Sequence, residues 1–188
     1  MSPYALAEAA PEAVPGFDSA EHRFGLALGY AWVARTGVRT PVVRADYTFA
    51  WQGFGVGAGL VVDLQQDGLG VPEFILADVN LRRNLLLGDG RLWGAAELVI
   101  LRASRGEFGD PKVSLYHGTA LGAELGYEFG RTRSRRPFAS VRVDLPVYTT
   151  EIETLSLAPQ QGPDSGATLI DYQRVWTPAY TLWIGIAL

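Results

Sequence analysis

Hydrophobic side chains recur at every second position from Arg23 to the end of the chain, and not with the 3.6-residue period of a helix. In the first of these runs, large side chains such as Phe24, Tyr30 and Trp32 alternate with small ones. The alternation predicts eight β-strands, each with one strongly apolar face. The fifth is the least regular, because it is apolar on both faces except at Glu97. The runs, each about nine to eleven residues long, are 24–33, 43–51, 54–64, 75–84, 92–102, 118–129, 139–148 and 180–188.

The connections between these runs alternate between short and long. Only the first connection, 36–41, is short where the alternation would place a long one. An up-and-down antiparallel barrel has turns at one end and longer loops at the other, so this alternation predicts that architecture. The other short connections are 52–53, 88–90 and 130–137, and the long ones are 65–72, 103–114 and 149–178.

Composition excludes several other classes of protein. The 188 residues suffice for one domain, and a hydrophobic content of 48% excludes a disordered chain. The absence of cysteine excludes disulfides, thiolate metal sites and cysteine nucleophiles. A net charge of −4 gives no electrostatic reason to expect a nucleic-acid partner. No segment approaches the roughly 18 uninterrupted apolar residues of a membrane-spanning helix.

The bulky face of the strands is expected to point outward into lipid. A soluble, lipocalin-like barrel would have to enclose most of the aromatic side chains and expose glycine and alanine, although an eight-stranded interior has little room. Trp51 and Phe54 flank one short turn, and Phe129 and Phe138 flank another. We expect these four aromatic residues to form part of an interfacial girdle. The soluble barrel remains the alternative.

The chain resembles the small eight-stranded outer-membrane β-barrels of Gram-negative bacteria, the OmpA and OmpX type. The resemblance covers Arg23 to Leu188 and rests on the pattern of strands and loops, including the alternation of the last strand. The family usually ends in Phe or Trp, whereas this chain ends in Leu188. The resemblance implies a barrel domain over 22–188 in the bacterial outer membrane, in contact with lipid and lipopolysaccharide. It further implies a flexible periplasmic segment over 1–21 after removal of a signal peptide, the alternative being a chain that is not exported.

Charged residues fall mainly on the inward face of the predicted strands. We expect Arg44 to lie opposite Asp63, and Arg142 to lie between Glu124 and Glu128, in two separate clusters. With Glu97 included, seven inward acids face three arginines, so some acids would be protonated, hydrated or cation-bound. The favoured interpretation is a structural network that fills the lumen, and the alternative is a gated polar path or an ion site. The predicted network is Arg44, Asp46, Asp63, Asp78, Arg82, Glu124, Glu128, Arg142 and Asp144.

Catalytic chemistry has one candidate site, at the long-loop end of the sixth strand. His117 and Thr119 loosely resemble the His-x-Ser of the outer-membrane lipid A deacylases, but Thr119 replaces the serine. A hydroxyl nucleophile needs a base and an orienting acid, and Glu124, the nearest downstream acid, is predicted to face the lumen. We therefore assign no catalytic residue, no metal site and no cofactor. His22 is expected on the surface.

The 149–178 loop is the strongest candidate for binding a protein or a small molecule. It is long, and its apolar residues, such as Leu155, Tyr172 and Trp176, would let it fold over the barrel mouth or contact a partner. The sequence favours a structural or binding protein that acts through its extracellular loops. A lipid-modifying barrel enzyme and a narrow channel or small-molecule transporter remain alternatives.

Overall fold

The computed structural model describes residues 20–35, 39–65, 74–104, 116–130, 133–157 and 168–188. The predicted N-terminal segment lies outside this range except for its last residues, of which Glu21 begins the first strand. Within the described residues the strands are β1 (Glu21–Val33), β2 (Arg39–Trp51), β3 (Phe54–Asp63), β4 (Phe74–Leu87), β5 (Gly90–Ser104), β6 (Tyr116–Glu128), β7 (Arg136–Pro146), β8 (Thr150–Leu157), β9 (Thr168–Val175) and β10 (Ala179–Ala187).

Eight of these strands close into a barrel, in the order β1-β10-β7-β6-β5-β4-β3-β2, with antiparallel pairing throughout. The predicted eight-stranded antiparallel barrel is confirmed. Within the predicted 149–178 loop, the described residues of β8 and β9 are not irregular, because the two strands pair with each other as a separate hairpin. Sequence alternation missed this hairpin, whose two strands have eight residues each.

Barrel closure joins the first and last strands and defines two ends. The backbone of Phe24 and Leu188 exchanges two hydrogen bonds, of 3.2 and 2.8 Å. These residues lie at the short-turn end, together with the β2–β3, β4–β5 and β6–β7 turns. The opposite, long-loop end carries the remaining connections and the β8–β9 hairpin. In the part of the chain that the structure describes, no helix is long and apolar enough to cross a membrane.

The outer surface of the barrel is a belt of large apolar side chains. Ile184 is 75% exposed and Leu81 is 66% exposed, which is the reverse of a water-soluble surface. Trp51, Phe54 and Phe129 lie on this surface near short turns, as predicted. Other members of the belt include Phe24, Leu26, Leu28, Val56, Leu60, Leu98, Leu121, Leu125, Val141 and Leu182.

Phe138 does not belong to the aromatic girdle, so that prediction is wrong. It is 2% exposed and lies inside the barrel, with the guanidinium of Arg23 4.8 Å from the centre of its ring. Trp93 and Trp183 are buried inside as well. The interior therefore holds more aromatic volume than we expected, and glycines on neighbouring strands make the room. A Cβ at Gly126 would collide with the Trp93 ring, and a Cβ at Gly185 with the Phe138 ring.

The β2–β3 turn fixes the register of two strands. Gln52 and Gly53 have φ angles of 50° and 77°, so both central residues of this two-residue turn are left-handed. Such a type I′ turn pairs Trp51 with Phe54 and therefore pairs Arg44 with Val61. The prediction that Arg44 lies opposite Asp63 is wrong, because it requires a turn centred between Gly53 and Phe54, one residue later than the observed centre between Gln52 and Gly53.

The same turn allows a stabilising substitution. We expect Gln52→Asn to raise the free energy of unfolding by about 0.5 kcal/mol, because asparagine tolerates the left-handed region better than glutamine. Gly53→Ala should have the opposite sign, with a loss of roughly 1 kcal/mol. Urea unfolding in detergent micelles measures both changes, and a loss of stability in the asparagine variant would contradict the turn assignment.

A β-bulge in β5 explains why its alternation was weak. Ile100 and Leu101 are consecutive and both point outward, and the register of β5 shifts there against β4 and β6. A bulge inserts one extra residue and so exchanges the two faces of the strand beyond it. Arg102, which follows the bulge, is consequently turned into the barrel and is fully buried.

Candidate functional site

Ion pairs fill the barrel interior, and Arg142 on β7 organises the part nearer the long-loop end. Its guanidinium contacts three carboxylates, at 2.6 Å from Asp78, 2.9 Å from Glu97 and 2.9 Å from Asp144. Its Cα lies opposite Glu124, yet its ion-pair partners lie on β4, β5 and its own strand. The predicted pairing with Glu124 and Glu128 is thus replaced by one that crosses the lumen.

Arg44 on β2 holds the middle of the interior. Its Nη1 lies 2.6 Å from Glu124, and weaker contacts of 3.6 and 3.8 Å join it to Asp46 and Glu97. Glu124 also accepts a 2.6 Å hydrogen bond from the hydroxyl of Ser140. Because Arg44 and Glu124 lie on β2 and β6, this contact spans the barrel.

Two further arginines extend the ion pairs to the short-turn end. Arg23 contacts Asp46 at 2.8 Å and Glu128 at 2.9 Å. Arg136 contacts Glu128 at 3.2 Å and Glu21 at 2.5 Å, and Glu21 contacts Arg91 at 2.8 Å.

Glu97 joins these groups, because its two oxygens face different arginines. One oxygen contacts Arg142 and the other lies near Arg44. The ion pairs consequently form one continuous network along the lumen, from Asp144 to Arg91, and not the two separate clusters that we expected. Within this network each carboxylate meets a guanidinium, which offsets the cost of removing both from water.

The excess of inward acid is much smaller than the predicted seven acids against three arginines. Among the described residues, the buried arginines number six and the buried aspartates and glutamates seven. The sequence prediction missed Arg23, Arg102 and Arg136. Arg23 and Arg136 lie an even number of residues before the inward positions of their strands, so they fall on the inward face. Extending each predicted strand by a few residues toward its start would have found them. Arg102 could not be found in that way, because the bulge changes its face.

Arg82 and Asp63 complete the predicted set. Arg82 is 3% exposed, and its guanidinium carbon lies 3.9 Å above the centre of the Trp93 ring. No described carboxylate forms an ion pair with it. Asp63 is buried near the long-loop end, where Val42 is its register partner. All nine predicted network residues are therefore inside the barrel.

Two solved structures are similar to this barrel. Neisserial surface protein A (NspA) is 11% identical in sequence, with a TM-score of 0.57, and the match covers 91% of this chain and 99% of that one. The N-terminal β-barrel domain of OprF from Pseudomonas aeruginosa is 9% identical, with a TM-score of 0.51 and coverage of 90% and 100%. Both are eight-stranded barrels of the outer membrane. This chain has the fold of an outer-membrane β-barrel.

The outer-membrane fold is the full extent of this likeness. No protein-family model and no characterised protein sequence matches the chain. At identities near 10%, no residue role passes from NspA or OprF to this barrel. The ion-pair network must accordingly be interpreted from its own geometry.

Thr119 of the candidate His117 and Thr119 pair does not meet Glu124, the nearest downstream acid, which faces the lumen as predicted. Thr119 is exposed on the outside of β6, whereas Glu124 is buried in the lumen and paired with Arg44. The barrel wall separates the two side chains. His117 pairs with Ala103 in the sheet, and its side chain lies outside the described residues. Within the described part of the chain, no group of three or more His, Asp or Glu is arranged to hold a metal ion.

The base of the β8–β9 hairpin is fixed to the barrel. The indole Nε1 of Trp176 donates a 2.7 Å hydrogen bond to the carbonyl of Pro146, and Arg102 donates one of 2.7 Å to the carbonyl of Thr177. Thr177 is itself buried. The hairpin therefore begins at a defined position on the long-loop end.

Proposed function

We propose that the chain is an integral outer-membrane β-barrel with a closed, charged lumen, and that it acts as a structural or binding protein through the loops at its long-loop end. One observation carries the proposal: the barrel buries its charges and exposes its large apolar side chains. In water this arrangement would be strongly unfavourable, whereas in a bilayer the exposed belt contacts lipid and closure leaves no unpaired strand edge.

The ion-pair network supports a plugged lumen over a channel. Arg44 reaches Glu124 across the barrel, and Arg142 reaches Asp78, so side chains from opposite walls meet. Trp93 and Trp183 occupy interior space beside them. An ion moving along the axis would have to break several of these contacts.

The long-loop end supports a binding role at the cell exterior. By analogy with the fold, this end would face outward, with the chain ends in the periplasm and lipopolysaccharide around the outer half of the belt. The β8–β9 hairpin, held at its base by Trp176 and Arg102, would present a protein or small-molecule ligand with a surface on a rigid scaffold.

Three measurements test this proposal. The protein should partition into detergent, migrate faster on a gel before boiling than after, and give no steady conductance steps in a planar bilayer. A chain that stays in the aqueous phase and shows no heat-modifiable mobility would contradict the membrane assignment. Stable single-channel steps from correctly folded protein would instead favour the narrow-channel alternative.

A further inference from the structure

A groove with a volume of about 720 Å³ crosses the outer face of β1, β10, β7 and β6. Its volume lies in the range of small-molecule sites, and its lining is largely apolar. Large side chains on β1 and β10, including Tyr30 and Leu182, stand beside smaller ones on β7 and β6, including Val141 and Ala123. The groove forms where the large lipid-facing side chains of β1 and β10 adjoin the smaller ones of β7 and β6.

An arginine lies at the long-loop end of this groove. Trp32 pairs with Arg39 on one side and with Tyr180 on the other, so the three residues form one row across β2, β1 and β10. The Arg39 guanidinium carbon is 6.0 Å from the Trp32 ring centre, and the Trp32 and Tyr180 rings are 5.6 Å apart. Tryptophan and tyrosine prefer the level of the lipid headgroups. Arg39 is therefore held where a headgroup would lie.

The charge around this row favours an anionic headgroup. The chain has no acidic residue between Glu21 and Asp46, a stretch that includes Arg35 and Arg39 beside the β1–β2 connection. A guanidinium matches the geometry of a phosphate and can bind it through two parallel hydrogen bonds. An apolar groove below such a group has the shape and chemistry of a site for one acyl chain and its phosphorylated head.

We propose that this groove binds the lipid A portion of lipopolysaccharide, with a phosphate on Arg39 and an acyl chain along Tyr30, Leu182 and Val141. The identity of the lipid rests on the proposed function, which assigns the long-loop end to the outer leaflet. Lipopolysaccharide is the phosphorylated glycolipid of that leaflet, whereas phospholipids occupy the inner one.

A second groove on the barrel provides an internal comparison. It has a volume of about 680 Å³ and is lined by residues of β2, β3, β4 and β5, among them Tyr47, Ala58 and Leu98. Its lining contains no arginine. Arg83 makes a similar contact at the short-turn end, 4.1 Å from the ring centre of Phe54. If the proposal is correct, filling the first groove or removing Arg39 should weaken lipid A binding. Filling the second groove or removing Arg83 should leave lipid A binding unchanged.

The test is lipid retention by native mass spectrometry of the folded barrel, incubated in detergent with defined lipids. The probes are bisphosphorylated lipid A, its dephosphorylated form and phosphatidylglycerol. We expect Arg39→Gln to lower retention of lipid A about fivefold and to remove the preference for the phosphorylated form. Ala123→Phe, which narrows the groove, should lower retention of both lipid A forms. Arg83→Gln and Ala58→Phe are the matched controls and should change neither.

Three results would overturn the proposal. If Arg39→Gln and Arg83→Gln lower lipid A retention equally, the arginine charge attracts the lipid wherever it lies on the barrel, and no specific site exists at Arg39. Equal retention of phosphorylated and dephosphorylated lipid A would exclude phosphate binding by Arg39. If phosphatidylglycerol is retained as well as lipid A, and its retention also depends on Arg39, the ligand is a phospholipid and not lipopolysaccharide. Heat-modifiable gel mobility shows whether each variant is a folded membrane barrel. A folded variant that does not bind lipid A contradicts the proposed site, whereas the absence of heat-modifiable mobility in the parent protein contradicts the membrane assignment.

Discussion

Replacing Arg142 with methionine is expected to lower the free energy of unfolding by about 3–5 kcal/mol, the usual cost of leaving buried charge without its partner. The substitution removes the guanidinium that contacts Asp78, Glu97 and Asp144. Methionine fills much of the volume of the arginine side chain, so the loss of unfolding free energy comes mainly from the missing charge and less from lost packing. Urea unfolding in detergent micelles, followed by tryptophan fluorescence, measures the change.

Arg82→Met is the matched control for this prediction. Arg82 and Arg142 are equally buried, at 3% exposure, but the contact that the structure shows for Arg82 is with the Trp93 ring. Its loss removes a cation–π contact, worth about 1–2 kcal/mol, and leaves no ion pair broken among the described residues. Equal losses for the two variants would contradict a stabilising role for the Arg142 ion pairs.

The strands and their faces could be predicted because alternate residues of a membrane barrel strand face the lipid and the lumen, a rule that holds along every strand. The rule failed at one place, the bulge at Ile100 and Leu101, where an inserted residue exchanges the faces and turns Arg102 inward. It missed the β8–β9 hairpin for a related reason. That hairpin does not belong to the barrel wall, so its sequence is not bound to one lipid-facing and one lumenal side.

The partners inside the lumen could not be predicted, because they depend on closure and side-chain reach. Sequence places Arg44 and Asp63 on neighbouring strands, and a turn centre that lies one residue earlier than predicted separates them. The observed partner, Glu124, lies 80 residues away on the opposite wall. Arg142 likewise faces Glu124 in register but bonds Asp78 across the lumen. The two-residue alternation identifies which side chains point into the interior, whereas the shape of the interior decides which of those side chains form ion pairs.

Glycine has a role in that interior which composition alone did not indicate. The inward glycines are positions where a neighbouring side chain occupies the space of the missing Cβ. At Gly25 that neighbour is the carboxylate of Asp46, and at Gly122 it is Glu97. The ion pairs and the buried rings therefore depend on which positions carry no side chain.

Gly29→Ala is expected to lower the free energy of unfolding by about 2–3 kcal/mol, at the upper end of the cost of overpacking. Gly29 pairs with Trp183 in the β1–β10 seam that closes the barrel. A Cβ there would overlap both the Trp183 ring and the carbonyl oxygen of Leu182, and the carbonyl belongs to the sheet backbone, which cannot move without opening the seam.

Gly94→Ala is the control for the seam, because the nearest atom to a Cβ at Gly94 is a carbonyl oxygen at 3.9 Å. That variant should stay within about 0.5 kcal/mol of the parent protein. Urea unfolding and the fraction of heat-modifiable protein after refolding measure both variants. If Gly29→Ala refolds as well as Gly94→Ala, the close packing of Trp183 against β1 is not a requirement for barrel closure.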